Sequence, residues 1–471
     1  MALSAGGTDY DYGMAVATDA AGNIYVTGHY YSPSIVFGND TLINIAGGGT
    51  DIYTVKYSPA GNELWARTGG GTGFDESTTI CTDAAGNIYV AGEFYSPSMT
   101  FGAQTVTNSD RSTGLFDMFI VKYDTDGNVI WARSAGGTDN DAIIGITTDV
   151  TGNIIVTGSS GSPICNFGAV TLINPGIIGY DDVFTVKYDS SGNALWGQSV
   201  AGNNFEEGAG VASDAAGNIY VTGNFSSIFI VFGNDTLYNA RTMGGPTDVF
   251  LVKYDPAGNE LWAKRAGSRF IDGAYDVVTD SNGDAIITGF FSDTTITFGN
   301  TSLTNLGTAD IFVAKYNPSG DAIAAYGAGG SDREFGMSLS IDNAGELYIA
   351  GEFYSSTFAA GSATLFNSGN GYSDVLVAKL ALPTTVGEIA ADDENGILIF
   401  PNPSTGFLTV LSQKYTGENI TFTDTFGKII YHSQITSPEF SIDLKDIPKG
   451  IYFVQIAAKS KNVMNKRIVI Q

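Results

Sequence analysis

Short apolar stretches alternate with glycine-rich polar turns along the first 380 residues, and the whole pattern recurs. The run TDAAGNIYVTG at 18–28 returns with small changes at 82–92, 148–158, 213–223, 279–289 and 341–351. A second run, DIYTVKY at 51–57, returns at 117–123, 182–188, 248–254, 310–316 and 374–380. Repetition with a period of about 65 residues is typical of stacked supersecondary units. The pattern therefore predicts six copies of one structural unit.

Each repeat reads as four β-strands. In the first repeat we expect strands at Met14–Thr18, Ile24–Tyr30, Ile52–Tyr57 and Leu64–Thr68. The intervening Asp-Ala-Ala-Gly-Asn and Ser-Pro-Ala-Gly-Asn segments have turn chemistry, with Gly for positive φ and Asp or Ser to cap the backbone. Four-stranded antiparallel units at this period are blades of a β-propeller. The prediction is an all-β, six-bladed β-propeller over residues 1–382.

The beginning of the chain bears on how the ring closes. MALSAGGT at 1–8 aligns with WARSAGGT at 131–138, so the chain starts inside a fourth strand. The sixth repeat stops at Leu380 without a fourth strand of its own. We expect the N-terminal strand to complete the last blade and remove its free edge. We also expect Met1 to lie inside the natural chain, with no signal peptide in this numbering.

The pattern changes after the last repeat. Residues 383–396 are polar, acidic and aperiodic, which predicts a linker. From 397 to 471 glycine and acidic residues decline, and alternating apolar positions at 397–410, 420–435, 440–456 and 466–471 predict a small antiparallel β-sandwich.

Charge and composition narrow the classes of partner. Residues 1–382 carry 14 Lys and Arg against 40 Asp and Glu, whereas 396–471 carry 8 against 5. Nucleic acid and anionic membranes require clustered basic residues, so neither is an expected partner. No apolar run is long enough to predict a membrane span. With 2 His and 2 Cys at unrelated positions, we expect neither a histidine-based site nor a disulfide framework.

Two resemblances follow from these motifs. The repeats resemble the SBBP-type β-propeller repeats of bacterial surface proteins and, more loosely, NHL repeats. Residues 397–471 resemble the type A C-terminal sorting domain of the Bacteroidetes type IX secretion system. The matching positions are Pro401, Asn402, Pro403, Gly406, Asp424, Gly427, Gly450 and Tyr452.

The second resemblance implies a route and partners. It implies export to the cell surface or medium through the type IX outer-membrane translocon, with residues 397–471 as the address. It also implies removal of that domain by a sortase-like peptidase, and cleavage would then fall within 383–396.

One acidic residue stands at a fixed place in every repeat, eight residues before the turn aspartate. The set is Asp11, Asp75, Asp141, Glu206, Asp272 and Glu334. We expect it in the loop before the innermost strand, around one mouth of the central channel. Six converging carboxylates would repel each other unless protonated or bridged, which raises a Ca²⁺ site as one interpretation. The other is that each carboxylate caps its own loop.

A lysine recurs in every third strand: Lys56, Lys122, Lys187, Lys253, Lys315 and Lys379. Because a buried unpaired ammonium is costly, each needs a partner. We expect the repeat acids or the acids that start the third strand, such as Asp51, to supply it. The prediction is a structural network between blades.

Aromatic residues at the end of the second strand suggest a ligand face. Tyr31, Tyr95, Phe291 and Tyr354 are expected at the same mouth as the acids, a combination that suits sugar rings or an extended peptide. Core packing is the alternative interpretation.

These features predict a secreted or cell-surface binding or adhesion protein with a glycan or peptide ligand. Catalysis requires residues that break the repeat symmetry, and the repeated acids do not, so binding is favoured. A polysaccharide-degrading enzyme and a structural surface-layer component remain the alternatives.

Overall fold

The computed structural model describes residues 3–45, 47–109, 114–174, 179–241, 245–342, 344–360, 363–369, 371–380, 398–400, 407–411, 416–424, 427–437, 439–445, 447–458 and 461–470. The described residues form β-strands and connecting turns, without a helix. The chain divides into two compact units, 1–380 and 381–471. The all-β fold predicted from the sequence is confirmed. The predicted linker at 383–396 lies outside the described residues.

The first three repeats each form one radial sheet and one small hairpin. Blade 1 holds β1 (Asp11–Thr18), β2 (Ile24–Tyr30), β3 (Ser34–Phe37), β4 (Asp40–Ile43), β5 (Asp51–Tyr57) and β6 (Glu63–Gly69). Blade 2 holds β7 (Asp75–Thr82), β8 (Ile88–Phe94), β9 (Ser98–Phe101), β10 (Gln104–Thr107), β11 (Asp117–Tyr123) and β12 (Val129–Ala135). Blade 3 holds β13 (Asp141–Thr148), β14 (Ile154–Ser160), β15 (Ile164–Phe167), β16 (Val170–Ile173), β17 (Asp182–Tyr188) and β18 (Ala194–Val200).

The remaining repeats follow the same plan. Blade 4 holds β19 (Glu206–Ser213), β20 (Ile219–Phe225), β21 (Phe229–Phe232), β22 (Asp235–Tyr238), β23 (Asp248–Tyr254) and β24 (Glu260–Ala266). Blade 5 holds β25 (Asp272–Thr279), β26 (Ala285–Phe291), β27 (Thr295–Phe298), β28 (Thr301–Thr304), β29 (Asp310–Tyr316) and β30 (Ala322–Ala328). Blade 6 holds β31 (Glu334–Ile341), β32 (Leu347–Phe353), β33 (Thr357–Ala360), β34 (Ala363–Phe366) and β35 (Asp374–Leu380).

Each of the first five blades is an antiparallel sheet with the strand order of blade 1, β1-β2-β5-β6, and its short hairpin is a separate two-stranded sheet. The turn between the first two strands shows why the sequence folds this way. Asp19 accepts bonds from the backbone N–H groups of Ala21 and Asn23 on one carboxylate oxygen, at 3.0 and 2.9 Å. Gly22 adopts φ of 78°, a conformation that costs glycine little. This turn is local and recurs in every blade.

The blades stack side by side as in a β-propeller. First strands of successive blades pack together, β1 on β7, β7 on β13, and so on to β31, which places them nearest the axis. Each third strand also packs on the first strand of the next blade. The core therefore lies between blades: Leu251 of blade 4 and Val277 of blade 5 belong to one buried cluster.

Among the described residues, the first and last blades do not pack on each other as successive blades do. Blade 6 has three strands, in the order β31-β32-β35, and residues 3–10 form no strand. β1 and β31 do not pack on each other as the five successive pairs of first strands do. The expected closure of the last blade by the N-terminal strand is therefore not made in this structure. Sequence alignment identified a fourth-strand sequence but not where its partner strand lies.

The second unit contains two antiparallel sheets. One holds β36 (Leu398–Phe400), β37 (Phe407–Leu411) and β40 (Glu439–Asp443), and the other holds β38 (Asn419–Thr423), β39 (Ile429–Gln434), β41 (Gly450–Ala458) and β42 (Lys461–Ile470). Leu408, Val410, Ile420, Phe422 and Val454 are buried in a common core. The alternating apolar positions of the sequence thus build the predicted small sandwich.

Candidate functional site

One end of the blades gathers the loops that lead into first strands and those that follow second strands. Backbone bonds tie them together within a blade, for example from the N–H of Tyr95 to the carbonyl of Phe74 at 2.7 Å. Other backbone bonds tie neighbouring blades, as from the N–H of Asp75 to the carbonyl of Thr50 at 3.0 Å. We call this loop end the mouth.

The repeat acids lie at the mouth but are turned into the protein. Each is the first residue of its first strand, not a loop residue, and the five from Asp75 to Glu334 are at most 1% exposed. Asp75 accepts a hydrogen bond from the Ser96 hydroxyl at 2.8 Å, and Asp141 accepts one from the Ser162 hydroxyl at 2.8 Å. Glu334 accepts from the backbone N–H groups of Gly330 and Ser355. Each acid thus joins two loops of its own blade.

The six carboxylates do not share one site. Among the described residues, no group of three or more His, Cys, Asp or Glu side chains is placed to hold a metal ion. The hydrogen bonds of Asp75, Asp141 and Glu334 lie within their own blades, and both interpretations of the repeat acids, loop caps and a calcium site, stay predictions.

Five of the six repeat acids, from Asp75 to Glu334, instead each lie beside the acid that starts the third strand of the preceding blade. Asp51 and Asp75 form the first such pair: burial, and then the neighbouring charge, raises the pKa of Asp51 to about 6. Burial and contact with the Asp182 carboxyl likewise raise the pKa of Glu206. The other pairs are Asp117 with Asp141, Asp248 with Asp272, and Asp310 with Glu334.

Several oxygens of these pairs have no hydrogen-bond partner. They are Asp51 Oδ1, Asp182 Oδ2, Glu206 Oε2, Asp248 Oδ1 and Asp310 Oδ1. Because an unpaired buried carboxylate is strongly disfavoured, a proton shared within each pair is the simplest way to satisfy them.

Beside these uniform positions lies a ring of positions that differ from blade to blade. They are the second residue of the first strand and the residue opposite it on the second strand. The six cross-strand pairs are Tyr12–His29, Glu76–Glu93, Ala142–Ser159, Glu207–Asn224, Gly273–Phe290 and Phe335–Glu352. We call these twelve residues the variable ring.

The variable ring breaks the symmetry that the rest of the repeat keeps. Sequence reasoning concentrated on what recurred and missed it. The available signal was variation itself, since the residue before each ring position recurs: an Asp or Glu on the first strand and a Gly on the second. A residue needed for the blade's own structure is needed in every blade. A position whose residue differs between blades can therefore serve a function specific to one blade, such as ligand contact.

Part of the variable ring borders a cavity of about 320 Å³. It is lined by Ser159, Glu207, Asn224, Gly273 and Phe290 of the ring, together with Asp181, Phe205, Glu206, Thr247 and Tyr275. The cavity therefore combines carboxylates, hydroxyl and amide groups with aromatic walls, as ligand sites commonly do.

The carboxylates of this region act on one another across blades. Burial, followed by the charges of Glu76 and Asp181, raises the pKa of Glu93 to about 7. Burial and then Asp181 raise the pKa of Glu207. Burial, then Glu207 and Glu352, raise the pKa of Tyr275 to about 12. Groups from blades 2 to 6 thus experience a common negative potential.

His29 is the only histidine of the variable ring. It is 6% exposed, its Nδ1 has no hydrogen-bond partner, and its ring lies 5.0 Å from that of Tyr12. Burial lowers the pKa of His29, against the opposing effect of Glu76.

Aromatic rings follow one another along the mouth. Successive centroids lie 5.5–6.5 Å apart along the row Tyr10, Tyr12, Tyr31, Phe74, Tyr95 and Phe116. A second row runs through Tyr275, Phe290, Phe335 and Tyr354. We call the two rows the aromatic rim.

The predicted aromatic residues divide between rim and core. Tyr31, Tyr95 and Tyr354 belong to the rim, and the Arg333 guanidinium lies 4.5 Å from the Tyr354 ring centre. Phe291 is fully buried between blades. It occupies the position of Tyr30 and Phe94, the first aromatic of each pair, whose side chain points into the core.

The repeated lysines lie at the opposite end of the blades. Lys122 donates to the carbonyl of Ser190 in the next blade at 3.0 Å, and the Trp131 indole donates to the same oxygen at 3.2 Å. Lys187 adds an ion pair with Asp149 at 2.9 Å. Lys56 and Lys253 likewise donate to next-blade carbonyls, and Lys315 pairs with Asp280 and Asp284.

The lysine partners differ from those expected. Turn aspartates and turn carbonyls supply them, whereas the strand-starting acids lie at the far end of the same strand. In blade 6, Lys379 is exposed and pairs with Glu346 at 3.3 Å.

In the second unit, Pro401, Asn402, Pro403 and Gly406 lie outside the described residues. Asp424 caps the turn through Gly427 and Lys428, with Gly427 at φ of 81°. Gly450 begins β41, and the buried Tyr452 donates its hydroxyl to the carbonyl of Pro448.

Comparison with known proteins identifies this second unit. Residues 398–471 match the secretion system C-terminal sorting domain family. The chain therefore carries the address of the type IX secretion system and is a secreted or cell-surface protein. No helix in the part of the chain described is long and apolar enough to cross a membrane.

The repeats have more distant relatives. An uncharacterised WD repeat-containing protein of Acanthamoeba polyphaga mimivirus is 27% identical over 64% of this chain and 26% of its own length. The regulatory protein FlaEY of Caulobacter vibrioides is 25% identical over 69% of this chain and 36% of its own. The chain thus spans about a quarter to a third of the length of these relatives.

Two solved structures are among the matches to this chain. A gluconolactonase of Xanthomonas campestris is 11% identical and covers 72% of this chain and 83% of its own, with a TM-score of 0.34. PorZ, a surface component of the type IX secretion system of Porphyromonas gingivalis, is 11% identical and covers 98% and 82%, with a TM-score of 0.22.

Proposed function

We propose that this secreted or surface-displayed protein is a binding or adhesion module that takes its ligand at the mouth of the blades. The observation that carries the proposal is the variable ring, whose symmetry-breaking residues share a region with the aromatic rim. A blade needs neither feature for its own stability, and like charges placed directly opposite, as in Glu76–Glu93, disfavour the fold.

The chemistry of the site indicates the kind of ligand. Glu76, Glu93, Asp181, Glu207 and Glu352 supply carboxylates, and aromatic rings supply flat apolar faces. A ligand carrying ammonium groups between apolar faces satisfies both, through charge pairing and ring contact. A basic peptide and a glycan with free amino groups share this chemistry.

Calorimetric titration tests the proposal. Full-length protein is titrated with a lysine-rich peptide, a partly deacetylated chitin oligosaccharide and a neutral glucan. Binding of either cationic probe, weakened at least tenfold in Glu93→Gln, is expected, because each lost charge-assisted contact is worth about 1.5–3 kcal/mol. Asp126→Asn, an exposed turn substitution at the opposite end, serves as the control. Failure of both cationic probes to bind would refute the assignment of ligand class.

An enzyme that cleaves polysaccharide is the second candidate. The opposed Glu76 and Glu93 favour it, because burial and neighbouring charge raise the pKa of Glu93 to about 7, as a general acid requires. Release of reducing ends from a panel of polysaccharides, lost in Glu93→Gln, would support this candidate over binding alone.

We also propose that a sortase-like peptidase removes the sorting domain within 383–396 after export. The family match to residues 398–471 supports it, since cleavage at this place leaves the repeat unit entire. Mass spectrometry of the secreted protein checks the new C-terminus, and recovery of intact 398–471 outside the cell would contradict it.

A further inference from the structure

The cavity of about 320 Å³ at the mouth has one wall that sets blade 5 apart from the other blades. Gly273, Tyr275 and Phe290 form this wall. At the position of Tyr275, the other first strands carry Met14, Thr78, Ile144, Ala209 and Met337, none of them aromatic. No other blade has glycine at the position of Gly273, or phenylalanine at that of Phe290. Three departures in one blade that meet at one cavity indicate a local function.

The three departures depend on each other sterically. A Cβ on Gly273 would lie 2.6 Å from the Phe290 ring, so the glycine leaves room for that ring. The Tyr275 ring stacks on Phe290 with centroids 5.7 Å apart, and the Phe335 ring meets Phe290 edge-on at 4.9 Å. Tyr275 lies at the register shift of β25, where a strand can re-aim a side chain. Blade 5 thus builds a flat aromatic wall.

Blades 3 and 4 supply a further ring and the charge of the cavity. The exposed Phe205 ring is held edge-on by Tyr180, with centroids 4.8 Å apart. Asp181, Glu206 and Glu207 line the same cavity, and none of its lining residues is basic. Carboxylates in a recess with apolar walls attract a cation more strongly than carboxylates on an open surface.

Two of the neutral polar side chains of the cavity are engaged with the protein itself. Asn224 accepts from the N–H of Ala274 at 2.8 Å and donates to the carbonyl of Ala274 at 3.4 Å. Thr247 donates to the carbonyl of Asp272 at 2.9 Å. These bonds fix blade 4 to blade 5, so the cavity is preformed, and they leave the carboxylates as its strongest acceptors.

This combination selects a ligand group with one cationic end and an apolar stem. Carboxylates accept hydrogen bonds and donate none, so an ammonium with N–H groups suits them better than a quaternary one. Aromatic rings pack against a hydrocarbon stem and attract the charge at its end. A sugar ring would bring several hydroxyls that each need a partner inside the cavity. A lysine-like alkylammonium group therefore fits best.

We propose that the cavity between blades 3, 4 and 5 is the subsite for a lysine side chain of a peptide ligand. Its stem lies against Phe205, Tyr275 and Phe290, and its ammonium group donates to Asp181 and Glu207. This lysine subsite rests on the proposed function, because it requires that the ligand bind at the mouth. The aromatic wall of blade 5 supplies the selectivity, and the acids of blades 3 and 4 supply the attraction.

Titration of the full-length protein with small probes, followed by NMR of the probe, tests the chemistry of the subsite. Nα-acetyl-lysine methylamide is expected to bind about tenfold more tightly than its Nε-acetyl derivative, which keeps the stem without the charge. The Nε-trimethyl derivative lacks N–H donors and glucosamine lacks the stem, so both should bind more weakly. Either of these binding as tightly as the lysine probe, or no binding of the lysine probe, overturns the proposal.

Variants of two lining residues locate the contact. Glu207→Gln removes one charge from a group of like charges, so it should fold, and it should weaken the lysine probe about tenfold. Tyr275→Leu should also weaken it, and Tyr275→Phe should restore binding because it keeps the ring. Asp126→Asn, at the opposite end of the blades, is the control. Equal affinity in Glu207→Gln and wild type would contradict the assigned contact.

The lysine-rich peptide separates failure of the subsite from failure of the proposed function. A peptide weakened by Glu93→Gln but by neither Glu207→Gln nor Tyr275→Leu would overturn the subsite and leave the mouth as the ligand site. A peptide that does not bind, while the partly deacetylated chitin oligosaccharide does, would likewise overturn only the subsite. Failure of both ligands would refute the proposed ligand class as well.

Discussion

At the residue scale, the glycine pair Gly70–Gly71 before the first strand of blade 2 is explained by what surrounds it. A Cβ on Gly70 would lie 1.9 Å from Asp51 Oδ1, and one on Gly71 would lie 2.4 Å from the Ser96 hydroxyl. The glycines therefore let the loop pass between a strand-starting acid and a capping serine. Their role is close approach, because neither has φ in the left-handed region.

Gly70→Ala is expected to destabilise the protein by about 1–3 kcal/mol, the usual cost of overpacking a buried site. Urea unfolding measures the change. Gly6→Ala is the matched control, because its Cβ would meet nothing closer than 3.5 Å. Equal stability of the two variants would contradict this explanation of the glycine pair.

At the element scale, the junction between blades carries two kinds of buried charge at its two ends. At one end, lysine and tryptophan side chains donate hydrogen bonds to carbonyls in a turn of the next blade. At the other end lie the paired carboxyls. Ion pairs stabilise the charges of the first arrangement, whereas burial raises the pKa of the carboxyls in the second.

Lys187→Gln should cost about 3–5 kcal/mol, because it leaves the buried Asp149 carboxylate without its cation. Lys379→Gln, the same change in the exposed counterpart, should have no measurable effect on single-chain stability. Thermal unfolding at low protein concentration compares them. A loss of similar size in both would argue against the buried ion pair as a stabilising contact.

The carboxyl pairs predict that stability declines as the pH rises from acidic to neutral. Burial raises the pKa of Asp75 and of Asp272 to about 6 and that of Asp248 to about 7, above the value near 3.9 of an unfolded chain. A raised folded-state pKa contributes stability that is complete below the unfolded value and is lost as pH rises through the folded value. The melting temperature should therefore fall between about pH 4 and 7 through these groups.

Asp51→Asn should flatten that decline, since the amide cannot ionise, and Asp126→Asn should leave it unchanged. Measuring the melting temperature over the same pH range with and without Ca²⁺ distinguishes carboxyl pairs that share a proton from pairs that bind a cation. A calcium-dependent rise in melting temperature, abolished by Asp51→Asn, would favour a bridging ion over a shared proton.

At the scale of the whole molecule, the two units have separate tasks. The repeat unit holds the candidate ligand site, and the second unit holds the address for export. Because the sorting domain has its own core of Leu408, Val410, Ile420, Phe422 and Val454, its removal leaves the repeat unit's internal contacts in place.

Deletion of residues 398–471 should therefore abolish appearance of the protein outside the cell without unfolding the repeats. Cell fractionation of a type IX-competent host, with protease resistance of the retained protein, measures both. Secretion of the truncated chain at the normal level would contradict the assigned role of the sorting domain.

Much of the architecture follows from the sequence because its causes are local. A turn such as Asp19–Asn23 closes on its own side chain and backbone, and alternating apolar residues select strands wherever they occur. The sorting domain can also be recognised from the sequence, since its motif residues stand at positions characteristic of that domain family.

The candidate site was harder to predict from the sequence, because its chemistry depends on which residues contact each other in the folded protein. Sequence repetition drew attention to Asp75 and its counterparts, which the fold turns inward onto serines. It placed Phe291 at the mouth, although the alternation of the strand points that side chain into the core. Glu76 and Glu93 gained significance only when strand register set them opposite each other.

By itself, the sequence determined the all-β repeat, the positions of turns and strands, and export of the chain, since each depends on residues close together along it. The tertiary structure decided which acids pair across blades and which residues form the variable ring. Those outcomes depend on strand register within a blade and on contacts between blades, which the period of repetition does not specify.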